Sequence, residues 1–206
     1  FFWDSSLDMS PSADPDEQIG WTEITDTKAT NFSVGDAYAI LIRGDRSSTL
    51  SSNSDTGPST TLRTTGKIHV GDFEVPSSIL SNTNGNFNLI GNPYQSQVDL
   101  ESLLDNSNPN SEGLNDQFIY IYDPTLGTQG GYATVDLDSN TNTVDSSVPE
   151  TSEAKKYLQP NQAFFVQSTG TTPSLTFTED KKDNTEIQTQ TFSTETPNHI
   201  NINLRY

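Results

Sequence analysis

Cysteine is absent from this 206-residue chain, which removes disulfide frameworks, thiolate metal sites and cysteine nucleophiles together. The absence does not fix a compartment. Basic residues are scarce: 10 Lys and Arg stand against 28 Asp and Glu, for a formal net charge of −18. A surface this acidic repels nucleic acid and anionic bilayers, so neither nucleic acid nor direct membrane insertion is expected of it. No apolar run approaches the length of a membrane-spanning helix. Histidine occurs only at His69 and His199, and there is no Gly-x-Ser-x-Gly elbow and no Gly-rich phosphate loop followed by Lys. A nucleophile–base–orienter triad therefore has little to be built from. Ala, Leu, Lys and Glu are too sparse for a helical bundle. The chain opens on "FFWDSS", with no Met and no leader-like segment, and is expected to be a mature or excised piece of something longer.

What remains is a chain only 30% hydrophobic and rich in Ser, Thr, Asn and Asp. That balance fits many short strands joined by polar turns. Apolar segments recur along most of the length, so residues 1–206 read as one all-β domain. "IGWTEIT" (Ile19 to Thr25) and "AYAILIR" (Ala37 to Arg43) read as strands, the second apolar on both parities. "GKIHVGDFEV" changes parity at Gly71-Asp72, which calls for a bulge there or a hairpin turn. His69, opposite in parity to Ile68 and Val70, is expected to face solvent. "FNLI" (Phe87 to Ile90) is a strand that runs into "GNPYQSQVDL". Asn92 before Pro93 is biased to extended geometry, and Gly91 permits a bend. Ser96 and Asp99 then fit a capping box, which predicts a short helix over Gln97 to Leu104, closed before Asn108-Pro109. "QFIYIYD" (Gln117 to Asp123) reads as a central strand, with "YATVDLD" (Tyr132 to Asp138) as its hairpin partner. "AFFVQS" (Ala163 to Ser168) and "SLTFT" (Ser174 to Thr178) suggest another hairpin. "HININL" (His199 to Leu204) alternates as a final half-buried strand.

Four patterns offer chemistry. Planar aromatic rings stack on the apolar faces of sugars, and Trp3, Trp21, Tyr94 and Tyr132 are candidates if they are exposed; the competing reading is core or edge packing. "DLDSNTNTVD" places oxygen ligands at Asp136, Asp138, Asn140, Asn142 and Asp145, which resembles the front of a calcium loop. It has Thr141 and Ser147 where such a loop has Gly and Glu, so a polar hairpin tip explains it as well. Arg43-Gly44-Asp45 matches an integrin-ligand tripeptide, but a turn accounts for it better. Carboxylate pairs are abundant in any acidic chain, and glycoside hydrolysis needs two of them at a set separation in a cleft.

Several motifs occur in a fixed order: "FFWDSS", "GDAYAILIRGDRS", "TLRTTGKIHVGD", "NLIGNPYQSQVDL", "IYIYDPTLGT" and "LQPNQAFFVQS". Together, from Phe1 to about Phe177, they resemble a β-rich module found near the C-terminal end of large surface and adhesin-like proteins of the Bacteroidota. Gln95 stands where that module often has Pro, and Ala163 where it often has Gly. The resemblance implies an extracellular, cell-surface location and export by the type IX system, whose components would be partners alongside neighbouring domains of the same polypeptide. The expectation is an antiparallel, jelly-roll-like β-sandwich with one short helix. Its leading function is a non-catalytic structural or adhesive module, in gliding or attachment. The alternative is a carbohydrate-binding module, with a glycan as partner and calcium as an accessory ion.

Overall fold

In a computed structural model of the chain, residues 1–6, 20–26, 31–40, 66–127, 130–170 and 172–184 are described. Strands β1 (Phe2–Trp3) and β2 (Trp21–Thr22) form a small ribbon. They are followed by β3 (Phe73–Glu74), β4 (Phe87–Gly91), β5 (Gln97–Asp99), helix α1 (Leu100–Leu104), β6 (Ser111–Glu112) and β7 (Phe118–Asp123). Strands β8 (Gly131–Asp136), β9 (Thr141–Thr143), β10 (Tyr157–Leu158), β11 (Ala163–Gln167), β12 (Ser174–Phe177) and β13 (Lys182–Asp183) complete the order. The pairings between these strands are antiparallel. The fold is sandwich-like and all-β, with one short helix.

The largest sheet has the order β4-β11-β7-β8-β9, and two three-stranded ribbons, β3-β12-β6 and β10-β5-β13, complete the body. "FIYIYD" forms β7 because β-branched and aromatic residues fit a pleated surface and alternate cleanly across it. Its Ile119 and Ile121 pair with Val135 and Ala133 of β8, on the same side as Ile90, Phe164 and Val166. These join Val98, Leu158, Leu175, Phe177 and the three leucines of α1 in one core cluster. Each such side chain contributes roughly 1.5–3 kcal/mol through burial. The opposite parity of the same strands gives the outer face, which is aromatic.

The predicted strands at 87–90, 117–123 and 132–138 are therefore present, and β7 is central. Other expectations need correction. The helix starts at Leu100, because Gln97–Asp99 pairs with both β10 and β13 and is held as strand. The cap is Asp99, whose carboxylate accepts from the Glu101 N–H at 3.1 Å, and the buried Ser96 hydroxyl has no partner among the described residues. Residues 163–168 and 174–178 do not form a hairpin: β11 lies in the five-stranded sheet, whereas β12 lies between β3 and β6. Their short connection passes between layers. Residues 66–70 are not strand. Their alternation is real but inverted, with Ile68 and Val70 at 55% and 74% exposure while His69 turns inward against Phe73 and Tyr94. The predicted strand at 19–25 is reduced to β2, and of 37–43 the described part contributes one bridge, Tyr38 to Phe2. Arg43-Gly44-Asp45 and the strand at 199–204 lie outside the described residues.

Candidate functional site

The Gly91-Asn92-Pro93-Tyr94 corner is held by its own polar atoms. The Asn92 amide nitrogen donates to the carbonyls of Ser96, Leu158 and Gln159 at 2.9, 3.2 and 3.1 Å, and its side-chain oxygen accepts from the Tyr94 N–H at 2.9 Å. One side chain thus ties the corner to the chain between β10 and β11. Gly91 is required by close approach, since a Cβ there would lie 2.7 Å from the Asp36 carbonyl oxygen. Its N–H donates to Gly35 at 3.0 Å. Tyr94 was a candidate sugar-stacking ring, and its position corrects that expectation: it has no solvent exposure and packs on Phe177 in the core. Its hydroxyl donates within reach of the Gly71 and Phe177 carbonyls, at 2.9 and 3.1 Å. Burial, reinforced by the charges of Glu179, Asp72 and Asp180, pushes the Tyr94 phenol up to about 12. The Lys182 ammonium sits 4.0 Å from its ring centroid, and Glu179 pins the loop above by accepting from the Gly71 N–H at 2.6 Å.

The other aromatic candidates meet on the outer face of the five-stranded sheet. Trp3 packs edge-on against Trp21 and Phe165, with centroids 5.3 and 4.9 Å away, and its indole N–H donates to the Phe87 carbonyl at 2.8 Å. Gly20 allows this packing: its φ is +92°, and a Cβ would lie 2.5 Å from the Trp3 ring. Tyr132 lies 5.7 Å from Phe165, on whose ring Trp21 also packs, with centroids 6.1 Å apart. Trp21 and Tyr132, singled out separately in the sequence, thus share one surface. The sequence reading missed Tyr122. It pairs directly with Tyr132 across β7 and β8, with ring centroids 5.5 Å apart and planes at 67°. The two are 43% and 45% exposed. The signal was present in "FIYIYD", where the tyrosines share the parity opposite to the buried isoleucines. Burial of the ring edges pushes both phenols up from their ordinary value.

The oxygen-rich series does not converge. Register places Asn142 opposite Val135, on the core side, and Asp136 opposite Thr141, on the outer side. Asp136 accepts from the Ser139 N–H at 3.1 Å, Asn140 from the Lys156 N–H at 3.2 Å, and Asp145 from the Ser147 N–H at 2.8 Å. The Asn142 amide donates to Ser152 and Ala154 carbonyls. Asp138 is exposed in the turn between β8 and β9. Each ligand of the expected calcium loop except Asp138 therefore organises a turn or neighbouring backbone, and among the described residues no three His, Cys, Asp or Glu side chains gather as a metal cluster.

A family model described as a domain of unknown function, DUF8693, matches residues 4–205. The chain belongs to the DUF8693 family. No curated protein and no solved structure matches it.

In this DUF8693 member, a cavity of about 520 Å³ opens beside the β1–β2 ribbon, lined in part by Asp4, Glu23, Asp26, Asp36, Ile79 and Leu89. Its carboxylates Asp4 and Asp36 hold local structure. Asp4 accepts from the Ser6 N–H and hydroxyl at 2.9 and 2.6 Å, and Asp36 accepts from the Tyr38 hydroxyl at 3.0 Å. Two buried polar side chains, Asn88 and Asp123, are likewise engaged. Asn88 bonds Ser81, Val166 and Ser168, and the buried Asp123 carboxylate takes the Ser152 hydroxyl at 2.6 Å. Among the described residues no helix is long and apolar enough to cross a membrane.

Proposed function

We propose that this chain is a non-catalytic, extracellular module of a larger bacterial surface protein, with a structural and adhesive role in attachment or gliding. The observation that carries the reading is the use made of the motif residues. Asn92, Tyr94 and Gln162, which a catalytic account would assign to chemistry, direct their polar atoms to the chain's own backbone. A motif built this way specifies a fold, and function then resides on the surface that the fold displays. The strong acidic excess keeps such a module soluble and apart from anionic surfaces. The ordered motifs, through their resemblance, add a location at the cell surface and export by the type IX system.

The test is retention under flow. Beads carrying the purified chain should be held on the solids and cell surfaces that the parent bacterium colonises, while albumin-coated beads wash off. Equal loss of both would contradict the adhesive role. Turnover of soluble glycans that disappears in Glu23→Gln would contradict the non-catalytic one. Export is tested separately, since a strain lacking the type IX machinery should hold the parent protein inside the cell.

A further inference from the structure

We infer that the outer face of β7, β8 and β9 is a binding platform for a neutral, soluble polysaccharide, with Tyr122 and Tyr132 as its stacking rings. This rests on the adhesive reading and supplies its ligand class. The argument begins with register. Outward residues of β7 and β8 include Tyr122 and Tyr132 as a cross-strand pair, and the next outward positions are Thr134, paired with Thr143 of β9, and Asp136, paired with Thr141. Apolar ring faces therefore lie beside a row of hydroxyl and carboxylate oxygens. A pyranose needs that combination, because its C–H face stacks on an aromatic ring while its rim hydroxyls seek donors and acceptors.

The rings are held in place. Tyr132 leans on Phe165 and on Tyr122, and Tyr122 leans on Tyr132 in turn. A positioned aromatic loses little conformational freedom when a ligand arrives. The angle between the rings narrows the ligand. At 67° the two planes cannot both lie flat on one crystalline sugar sheet, but they can meet successive residues of a twisted, soluble chain. Charge narrows it again. With a net charge of −18 and Asp136 on the same face, a uronate polymer would be repelled and a neutral one would not.

The experiment is affinity electrophoresis of the intact chain in gels containing hydroxyethylcellulose, galactomannan or mixed-linkage β-glucan, with polygalacturonate as the anionic control. At least one neutral polymer should retard the protein, at low and high salt alike, and polygalacturonate should not. Tyr122→Ala and Tyr132→Ala should each weaken retardation about thirtyfold or more, the loss expected of an anchoring aromatic. Tyr122→Phe keeps the ring and should stay within about threefold of the parent, which controls for misfolding of the alanine variants. Retardation by polygalacturonate instead, or undiminished retardation of a folded Tyr122→Ala/Tyr132→Ala double variant, overturns the proposal. So does the absence of retardation by every neutral polymer. If beads are still retained in that last case, the glycan platform falls and the adhesive reading stands; if beads are also lost, both fall.

Discussion

The Asn92 corner and the Tyr122–Tyr132 face use the same kinds of residue in opposite ways. At the corner, amide and phenol are turned inward and engaged by backbone. On the outer face, aromatic rings pack edge-to-face with one another yet remain nearly half exposed at the β7–β8 end. Polar atoms that satisfy buried carbonyls stabilise a fold, because an unmade buried hydrogen bond costs more than a made one contributes. Half-exposed rings add less to stability and present apolar surface to solvent. The molecule separates what makes it fold from what it shows to solvent, and substitutions should divide along the same line.

The largest effect should come from the inward side. Phe164→Ala removes a fully buried ring from the sheet's inner face and should cost about 3–5 kcal/mol in urea unfolding. Tyr94→Phe keeps the ring and removes only the hydroxyl shared by two carbonyls, so its cost should be about 1–2 kcal/mol. A loss under half a kcal/mol would mean that the bridge to Gly71 and Phe177 does not hold the 66–72 loop.

Alkaline pH sharpens the same contrast. The Tyr94 phenol is pushed up to about 12 in the folded chain, as is that of Tyr38, chiefly by burial, whereas an unfolded tyrosine titrates near 10. Between these values the unfolded chain has lost protons that the folded chain keeps. Stability should therefore be level from about pH 7 to about pH 10 and fall as pH rises toward 12. Tyr94→Phe should flatten that fall by about one proton's worth of slope, read from unfolding curves at successive pH values. The smallest effect belongs to the outer face, where Tyr122→Ala should change unfolding free energy by no more than about 1 kcal/mol.

Much of the scaffold was legible because its longest strands follow simple alternation. In Phe118–Asp123 the isoleucines mark one face and the tyrosines the other, and β8 alternates in the same way. Alternation gives two faces without saying which is inward. Ile68, His69 and Val70 show the consequence: outside any strand, the aromatic contacts of His69 with Phe73 and Tyr94 outweighed the burial of two aliphatic residues. The start of α1 was misplaced because Gln97–Asp99 is held by strands distant in sequence, and no local cap signal reports such pairing. The step from β11 to β12 was illegible for a related reason, since a short polar connection serves a hairpin and a crossing between layers equally well. For the site, Trp21 and Tyr132 were legible as types, but their convergence with Tyr122 required the sheet register. Tyr94 was misread because nothing in "NPYQS" distinguishes an exposed ring from one drawn into the core.

Asn92 tests the division most directly. Asn92→Asp keeps the shape of the side chain and replaces its amide donor, which serves the three carbonyls of Ser96, Leu158 and Gln159, with an oxygen. Urea unfolding at pH 7 should show a loss of about 3 kcal/mol or more, partly recovered below pH 4 as the new carboxylate takes a proton. A variant within about half a kcal/mol of the parent at both pH values would contradict the account, because the corner would then not be held by this side chain and its polar atoms would be available for other work.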